Sequence, residues 1–441
     1  MTLLLSHFGI RWKLSFFLRF YRSDYQMPYW KALVWFLTIT SVFMSASYTM
    51  LVPFLPMYLI DELGVAQSDV NIWSGLIFSI SFLISAIMAP IWGALSDKKS
   101  HKAMAVRAAV CLAISYVWGG FVQSPWELFA MRSFQGFSAG LWPACLAIMT
   151  STAPREKMGW CLGLMQGGST AGGVFGPLIG GVLAEVFGMR ASFYFAGAAL
   201  GLIALGLIFF IKGGEQKKVA SVPEKKKEKG GSLKLLKVPV IQRMLFAAAV
   251  VQLAVMLVQP VLPLYIAELQ GSMDNIVMVS GIVFSVVGIS GVFAAPMWGR
   301  LGTNIGYRWA LYVALFGGGV FGVVQALPGE ITQFVIWRFV GGIFFAGIFP
   351  AINALFAENT LPNERGRIYG LSYAAQQIGS VMGPILGGLM ATYWSNAIVV
   401  MAHGFVMILL VILLYLKRPK NQDPGSGETI IEVGGESKEA H

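Results

Sequence analysis

Two arginines, Arg132 and Arg338, are the only Arg or Lys residues set well inside long apolar runs of this 441-residue chain. A full charge at such depth is costly and marks a functional position by default. Each lies six or seven residues from the start of its run, about 10 Å deep at 1.5 Å per residue. The structural alternative is an arginine that snorkels to the surface or holds backbone carbonyls, and the existence of a twin strengthens that alternative for Arg338. Carboxylates able to exchange a proton stand near the run ends: Asp61, Glu62, Glu127, Glu185 and Glu268. Glu185, one helical turn beyond Gly181, would titrate in a useful range if part-buried near Arg132. Each of the five taken singly also fits an ordinary interfacial acid. Between Trp30 and Ile60 there is no acid at all. No phosphate-binding Gly-rich loop is present, so ATP does not drive the chemistry. The four histidines, His7, His101, His403 and His441, are scattered and suggest no metal; His403 reads as packing. The three cysteines lie in or beside apolar runs as small apolar fillers. No catalytic set and no cofactor is expected.

The elements that must position these groups are membrane spans. The chain is 56% hydrophobic and 12% charged, with mean hydropathy +0.69, against about 25% charged in soluble domains. A span needs about 20 apolar residues. Twelve are expected, near 30–60, 72–95, 103–122, 126–151, 159–186, 191–211, 240–268, 276–302, 308–326, 331–357, 366–392 and 396–416. Alternate loops then collect the basic residues on one side, from Arg11 and Lys98 to Arg367 and Lys417, and leave Arg190 on the other among Asp61, Glu127, Asp274 and Glu330. That bias places both termini and the middle loop in the cytoplasm. The net charge of +11 orients a membrane protein and does not imply nucleic acid. The expected divisions are an N-terminal segment 1–29, a first bundle 30–211, a Lys- and Gly-rich linker 212–239, a second bundle 240–416 and a tail 417–441. Residues 1–29 read equally as an interfacial amphipathic helix or as the product of a start earlier than Met27.

Both bundles carry the same marks. Ala89-Pro90-Ile91-Trp92-Gly93 is repeated at Ala295-Pro296-Met297-Trp298-Gly299, Arg132 at Arg338, and Gly176-Pro177 at Gly383-Pro384, always 206 or 207 positions on. Such a repeat is the mark of a two-bundle transporter with a pseudo-two-fold axis along the membrane normal. In the fifth span Gly168, Gly172, Gly176 and Gly180 draw a side-chain-free ridge, with Pro177 as a bend and Gly181 beside it. Such ridges let helices approach closely in lipid.

These motifs resemble the major facilitator superfamily along the whole span region. Gly93-Ala-Leu-Ser-Asp97-Lys98-Lys-Ser-His-Lys102 is similar to its signature between the second and third helices, with Ser100 and His101 departing from it. Arg132-Ser-Phe-Gln135-Gly136 resembles its fourth-helix motif. The Gly ridge and Leu51-Val-Pro-Phe-Leu-Pro56 resemble those of the proton-coupled drug antiporter branch. The resemblance implies an all-α fold of twelve helices in two pseudo-symmetric six-helix bundles, in the cytoplasmic membrane. It implies a secondary transporter, not an enzyme, that exports lipophilic or amphipathic small molecules by proton antiport. Arg132 would take part in proton coupling. Gly93, Asp97, Lys98 and Lys102 would form a latch, Asp97 meeting the positive start of the eleventh helix in the outward-facing state.

The fifth and eighth helices meet between the halves in this superfamily, so the ridge Gly168–Gly181 is expected to slide on Gly281, Gly288 and Gly291. A cavity lined by spans one, four, seven and ten and their neighbours would offer Tyr48, Gln135, Trp142, Gln166, Gln252, Gln259, Phe345, Asn353, Tyr373 and Gln376. Partners are a small lipophilic substrate, protons and membrane lipids, with the chain a monomer. A lipid or glycolipid flippase and a transport-inactive membrane sensor or scaffold are the rival readings. The first would work without a pH gradient, and the second would be indifferent to cavity substitutions.

Overall fold

The computed structural model describes residues 28–98, 100–211, 236, 238–327, 329–361 and 364–417, without the side chains of Asp97, Lys98 and Arg155. The N-terminal segment, most of the linker and the tail lie outside the described residues. Among those described, regular structure is helical throughout. In chain order the helices are α1 Tyr29–Thr49, α2 Val70–Lys98, α3 His101–Gly119, α4 Pro125–Phe137, α5 Leu141–Thr152, α6 Met158–Phe187 and α7 Met189–Phe210. The second half follows with α8 Pro239–Val258, α9 Leu262–Gln270, α10 Ile276–Ile305, α11 Tyr307–Val324, α12 Ile331–Phe345, α13 Ile348–Glu358, α14 Arg365–Tyr393 and α15 Asn396–Leu416.

Ten helical runs are long and apolar enough to cross a membrane. The expected fourth and eleventh spans are not among them, for different reasons. The fourth is divided into α4 and α5, neither long enough alone. The eleventh, α14, has the length but is diluted by Arg365, Arg367, Gln376, Gln377 and its glycines. Helices nonetheless stand at all twelve expected places.

Breaks follow a rule that hydropathy does not reveal. The first span of every three-helix unit is interrupted: after Thr49, at Ser138–Gly140, at Gln259–Val261 and at Ala346–Gly347. The helices of the other spans run unbroken. Short irregular turns over Val52–Glu62 extend α1, where Pro53 and Pro56 remove backbone donors. Gly140 takes φ 117°, a conformation that favours glycine. Carbonyls freed by a break need partners in lipid. Trp92 Nε1 donates to Phe137 O at 2.8 Å, and Trp298 Nε1 donates to Ile343 O at 2.6 Å, each from the repeated Ala-Pro-x-Trp-Gly stretch. A second repeated bond ties the first span to the third of each bundle: Tyr58 Oη to Gly119 O at 2.9 Å, and Tyr265 Oη to Ala326 O at 3.3 Å.

Gly168, Gly172, Gly176 and Gly180 pack within their own bundle, which corrects the expectation that they slide between halves, whereas Pro177 and Gly181 do meet Gly281 of the eighth span. A Cβ on Gly168, Gly172, Gly176 or Gly180 would strike Thr38, Val42, Thr49 and Ala46, or Met50, all on or just beyond α1. Gly379, Gly383 and Gly387 of α14 press likewise against Ala249, Leu253 and Leu257 of α8. The residues turned toward the other half are the ridge's neighbours. A Cβ on Gly281 of α10 would run into the Pro177 carbonyl, and one on Gly181 would lie 3.0 Å from Val277 O. Across the pseudo-two-fold, a Cβ on Gly75 of α2 would run into the Pro384 carbonyl, and one on Gly388 into Asn71 O. Ser79 Oγ donates to Val381 O at 2.8 Å in the same seam. A prolyl carbonyl in mid-helix is exposed to a neighbour because the ladder is broken there, and glycine lets that neighbour reach it.

The contacts between the two bundles lie in the halves of the helices remote from the chain's two ends. The larger hydrophobic core cluster crosses the seam there, joining the first bundle to Leu257–Val283, Phe334, Ala391, Val399 and Val400. A second cluster, Ile241 to Leu414, stays within the second bundle on the side of the termini. On that side Gly93, Gly163, Gly167, Gly299, Gly366 and Gly370 face open space. The contacts named between the halves are thus gathered at one end.

Candidate functional site

Arg132 rises from α4 into the first bundle and is 2% exposed. Its Nη1 donates to Gln135 Oε1 at 2.9 Å, one turn further along α4. The guanidinium lies 5.8 Å from the Phe78 ring of α2. Tyr48 of α1 and Tyr116 of α3 are its electrostatic neighbours. Its Nε and Nη2 are buried without a hydrogen-bond partner. Donors left idle in a low dielectric cost on the order of 1–3 kcal/mol each. An edge-to-face Tyr48–Phe82 pair, centroids 6.1 Å apart, stands nearby.

Its twin sits differently. Arg338 of α12 lines a cavity of about 220 Å³ with Gln259, Phe284, Gln325, Phe345 and His403, and Gly173 and Val174 of α6 close one side. Its Nε approaches Val283 O at 3.4 Å, and its guanidinium lies 5.8 Å from the rings of both Phe284 and Phe334. His403 Nδ1 lies 2.8 Å from Ala254 O. A carbonyl only accepts, so that nitrogen carries the proton. His403 is therefore a cavity residue and not the packing residue its isolation suggested. Only the repeat of the arginine motif, which marks the floor of this bundle, could have pointed to the place.

The carboxylates do not join either arginine. Glu62 Oε2 accepts from Arg190 Nε at 2.7 Å, a half-exposed pair. Glu127 takes the Gln123 N–H at 2.8 Å as part of the α4 start, and Glu268 Oε1 accepts from Asn396 at 2.6 Å. Asp61 and Glu185 are exposed. The expected approach of Glu185 to Arg132 is not made: Glu185 faces outward at the far end of α6, and the polar partner of Arg132 is Gln135.

Of the other expected cavity residues, Gln259 and Phe345 line the cavity, Gln135 holds Arg132, and Tyr48 is exposed within electrostatic reach of Arg132. Gln252 instead donates to Ser380 Oγ at 3.1 Å, tying α8 to α14, and Gln376 turns back to Ser372. Trp142 is half-buried, and Gln166, Asn353 and Tyr373 are exposed on the side of the termini. In the latch stretch Gly93 faces open space, and the side chains of Asp97 and Lys98 lie outside the described residues. Lys102 has a different place: Nζ donates to Ile208 O at 2.7 Å and Ile211 O at 2.5 Å, capping the end of α7. Sequence reading also passed over Arg107. It stacks 3.6 Å above the Trp92 ring and donates to Ala139 O at 2.9 Å, so two side chains hold the break in the fourth span.

Two helical bundles joined at one end, with unpaired charges and a cavity at mid-depth, are the architecture of a membrane transporter rather than an enzyme. The sequence profile of the Major Facilitator Superfamily matches residues 37–294 and 244–431, and the chain belongs to that family. It is 34% identical over 368 residues to the multidrug resistance protein MdtG of Proteus mirabilis, covering 82% of this chain and 90% of that one. The MdtG of Klebsiella pneumoniae is 34% identical over 386 residues, covering 85% and 91%. Among solved structures, a bacterial homologue of the human lysosomal transporter Spinster, inward-facing and unoccupied, superposes with TM-score 0.73 at 16% identity, over 89% of this chain and 96% of that one. The nucleoside transporter NupG gives 0.73 at 14% identity, over 87% and 98%. These two likenesses concern the fold.

Proposed function

We propose that the chain is a multidrug exporter of the cytoplasmic membrane that moves lipophilic or amphipathic molecules outward by proton antiport. The observation that carries alternating access is the one-sided seam: the contacts between the halves, through Pro177–Gly281 and Pro384–Gly75, gather at the end away from the termini. With both termini cytoplasmic, as the positive loops imply, this is the inward-open state, ready to take a substrate from the cytoplasm or inner leaflet. The drug class follows the relatives, which are named multidrug resistance proteins. The halves 30–211 and 240–416 would rock about the mid-depth charges, with the linker 212–239 joining them.

Arg132 is the coupling residue in this reading. Its idle donors favour a carboxylate or an anionic group arriving nearby, and a proton entering the site would be repelled. Among acids, Asp61, Glu62, Glu127 and Glu185 are candidates at the outer end. When the outer seam opens, Asp97 would meet the start of α14 and latch the inner side, with Gly93 allowing the approach and Lys98 beside it. The working unit is a monomer in contact with lipid.

The test uses the purified chain in liposomes carrying a lipophilic dye. An imposed inward proton gradient is expected to accelerate efflux. Efflux indifferent to the gradient would overturn antiport.

A further inference from the structure

Pseudo-symmetry explains why the two arginines differ. The offset of 206 that relates Arg132 to Arg338 relates Gln135 to Gly341, and an offset of 207 relates Tyr48 to Val255. In the first bundle an amide holds the guanidinium and a phenol lies within its electrostatic reach. In the second those positions are a glycine and a valine, and both line the cavity. The exchange removes the acceptor that holds Nη1 of Arg132 and leaves a void in its place. Arg338 keeps one long bond from Nε and two aromatic faces. No carboxylate of the described residues answers its charge: Glu268 is engaged by Asn396, and Glu330 lies eight residues back along the chain, about 12 Å at 1.5 Å per residue.

We propose that this cavity is a binding subsite for the carboxylate of a small aromatic or aliphatic acid, with Arg338 as its charge partner. Arginine presents two parallel N–H donors that match a carboxylate, and such a pair is strong where water is scarce. Phe284 and Phe345 supply faces for an apolar body, and Gln259 and Gln325 supply amides at the rim. At about 220 Å³ the space is smaller than the roughly 300–1,000 Å³ of drug-sized pockets. It takes one ring or one acid head, the rest of a larger ligand reaching out past Gly173 toward the seam. Calling the ligand a substrate rests on the export reading; binding itself does not.

The probes are 2-naphthoate and its neutral isostere 2-naphthamide, titrated by calorimetry into the full chain in lipid nanodiscs. Wild type is expected to prefer naphthoate by about tenfold, the worth of about 1.4 kcal/mol. Arg338→Gln should abolish that preference while leaving naphthamide binding within about twofold. Gly341→Gln, which restores the acceptor and fills the void, should abolish it with Arg338 intact, and it decides the matter if Arg338→Gln does not insert. Equal binding of the two probes by wild type, binding of neither, or a preference that survives both substitutions would overturn the proposal. Dye efflux is measured on the same wild-type preparation. Lost efflux with intact naphthoate preference sinks export and spares the site, and the converse spares export alone.

Discussion

A wedge placed in the outer seam should change which way the transporter faces, and one placed on the glycine ridge should not. Valine at Gly281 would force its Cβ into the Pro177 carbonyl, and valine at Gly75 would do the same to the Pro384 carbonyl. Backbone oxygens of long helices cannot swing aside as a side-chain end can. Overpacking of this kind costs about 1–3 kcal/mol. The cost falls on the closed seam only, because the groups separate when the outer side opens. At about 1.4 kcal/mol per factor of ten, each wedge shifts the balance of states roughly 5- to 150-fold. The two contacts share no residue, so the costs should add. Valine at Gly172 meets the Val42 carbonyl inside one bundle, so its cost falls on both states and appears as lost stability. Spin labels at Gln123→Cys and Leu327→Cys, both exposed near the outer side of opposite halves, report the separation in a background lacking native cysteines. Gly75→Val and Gly281→Val are expected to lengthen it with little loss in melting temperature. Gly172→Val is expected to lower the melting temperature and leave the distance unchanged. The reverse pattern would refute the division between ridge and seam.

Three further outcomes follow from single side chains. Trp298→Leu removes the donor to Ile343 O and should cost about 1–3 kcal/mol of thermal stability beyond lost packing; Trp92→Leu should cost more, since Arg107 loses its stacking face as well, and equal losses would count against that clamp. Lys102→Ala should fray the end of α7, costing up to about 1 kcal/mol and speeding amide exchange at residues 208–211 without altering exchange in α6. Arg132→Gln should insert normally but reduce gradient-driven dye efflux more than about tenfold, and wild-type efflux in the liposome assay would remove Arg132 from coupling.

Much of this architecture is written in the chain because its causes are local. Apolar runs, basic loops and the 206–207 repeat follow from transfer energies and from duplication, and they placed every helix. Partnership is harder to read. A glycine ridge is smooth toward any neighbour, so its spacing announces a close contact without naming α1 as the helix contacted. Gly181 and Pro177, one position off that ridge, lie on the face that meets α10, a rotation of about 100° that spacing alone does not decide. The breaks in four spans escape notice for a related reason: Ser138–Gly140 and Ala346–Gly347 are apolar enough for a continuous run, and what stabilises the break is a tryptophan distant in sequence. His403 was unreadable because a lone histidine in an apolar run says nothing about the cavity beside it.

The repeat also indicates where to look for function, by the places where it fails. Bonds that hold the scaffold occur twice: Tyr58 and Tyr265 on the end of a third helix, Trp92 and Trp298 on a broken fourth, Gly75 and Gly281 under a prolyl carbonyl. Duplicated halves keep such bonds because both need the same rigid bundle. Around the arginines the match ends, with Gln135 answered by Gly341 and Tyr48 by Val255. Arg107, which with Trp92 clamps the break of the first bundle, is answered by Val313. A part-buried cation without an opposite charge costs stability, and a structural role offers nothing in return. A guanidinium beside a void, with one long bond to a carbonyl and no carboxylate partner among the described residues, therefore points to binding.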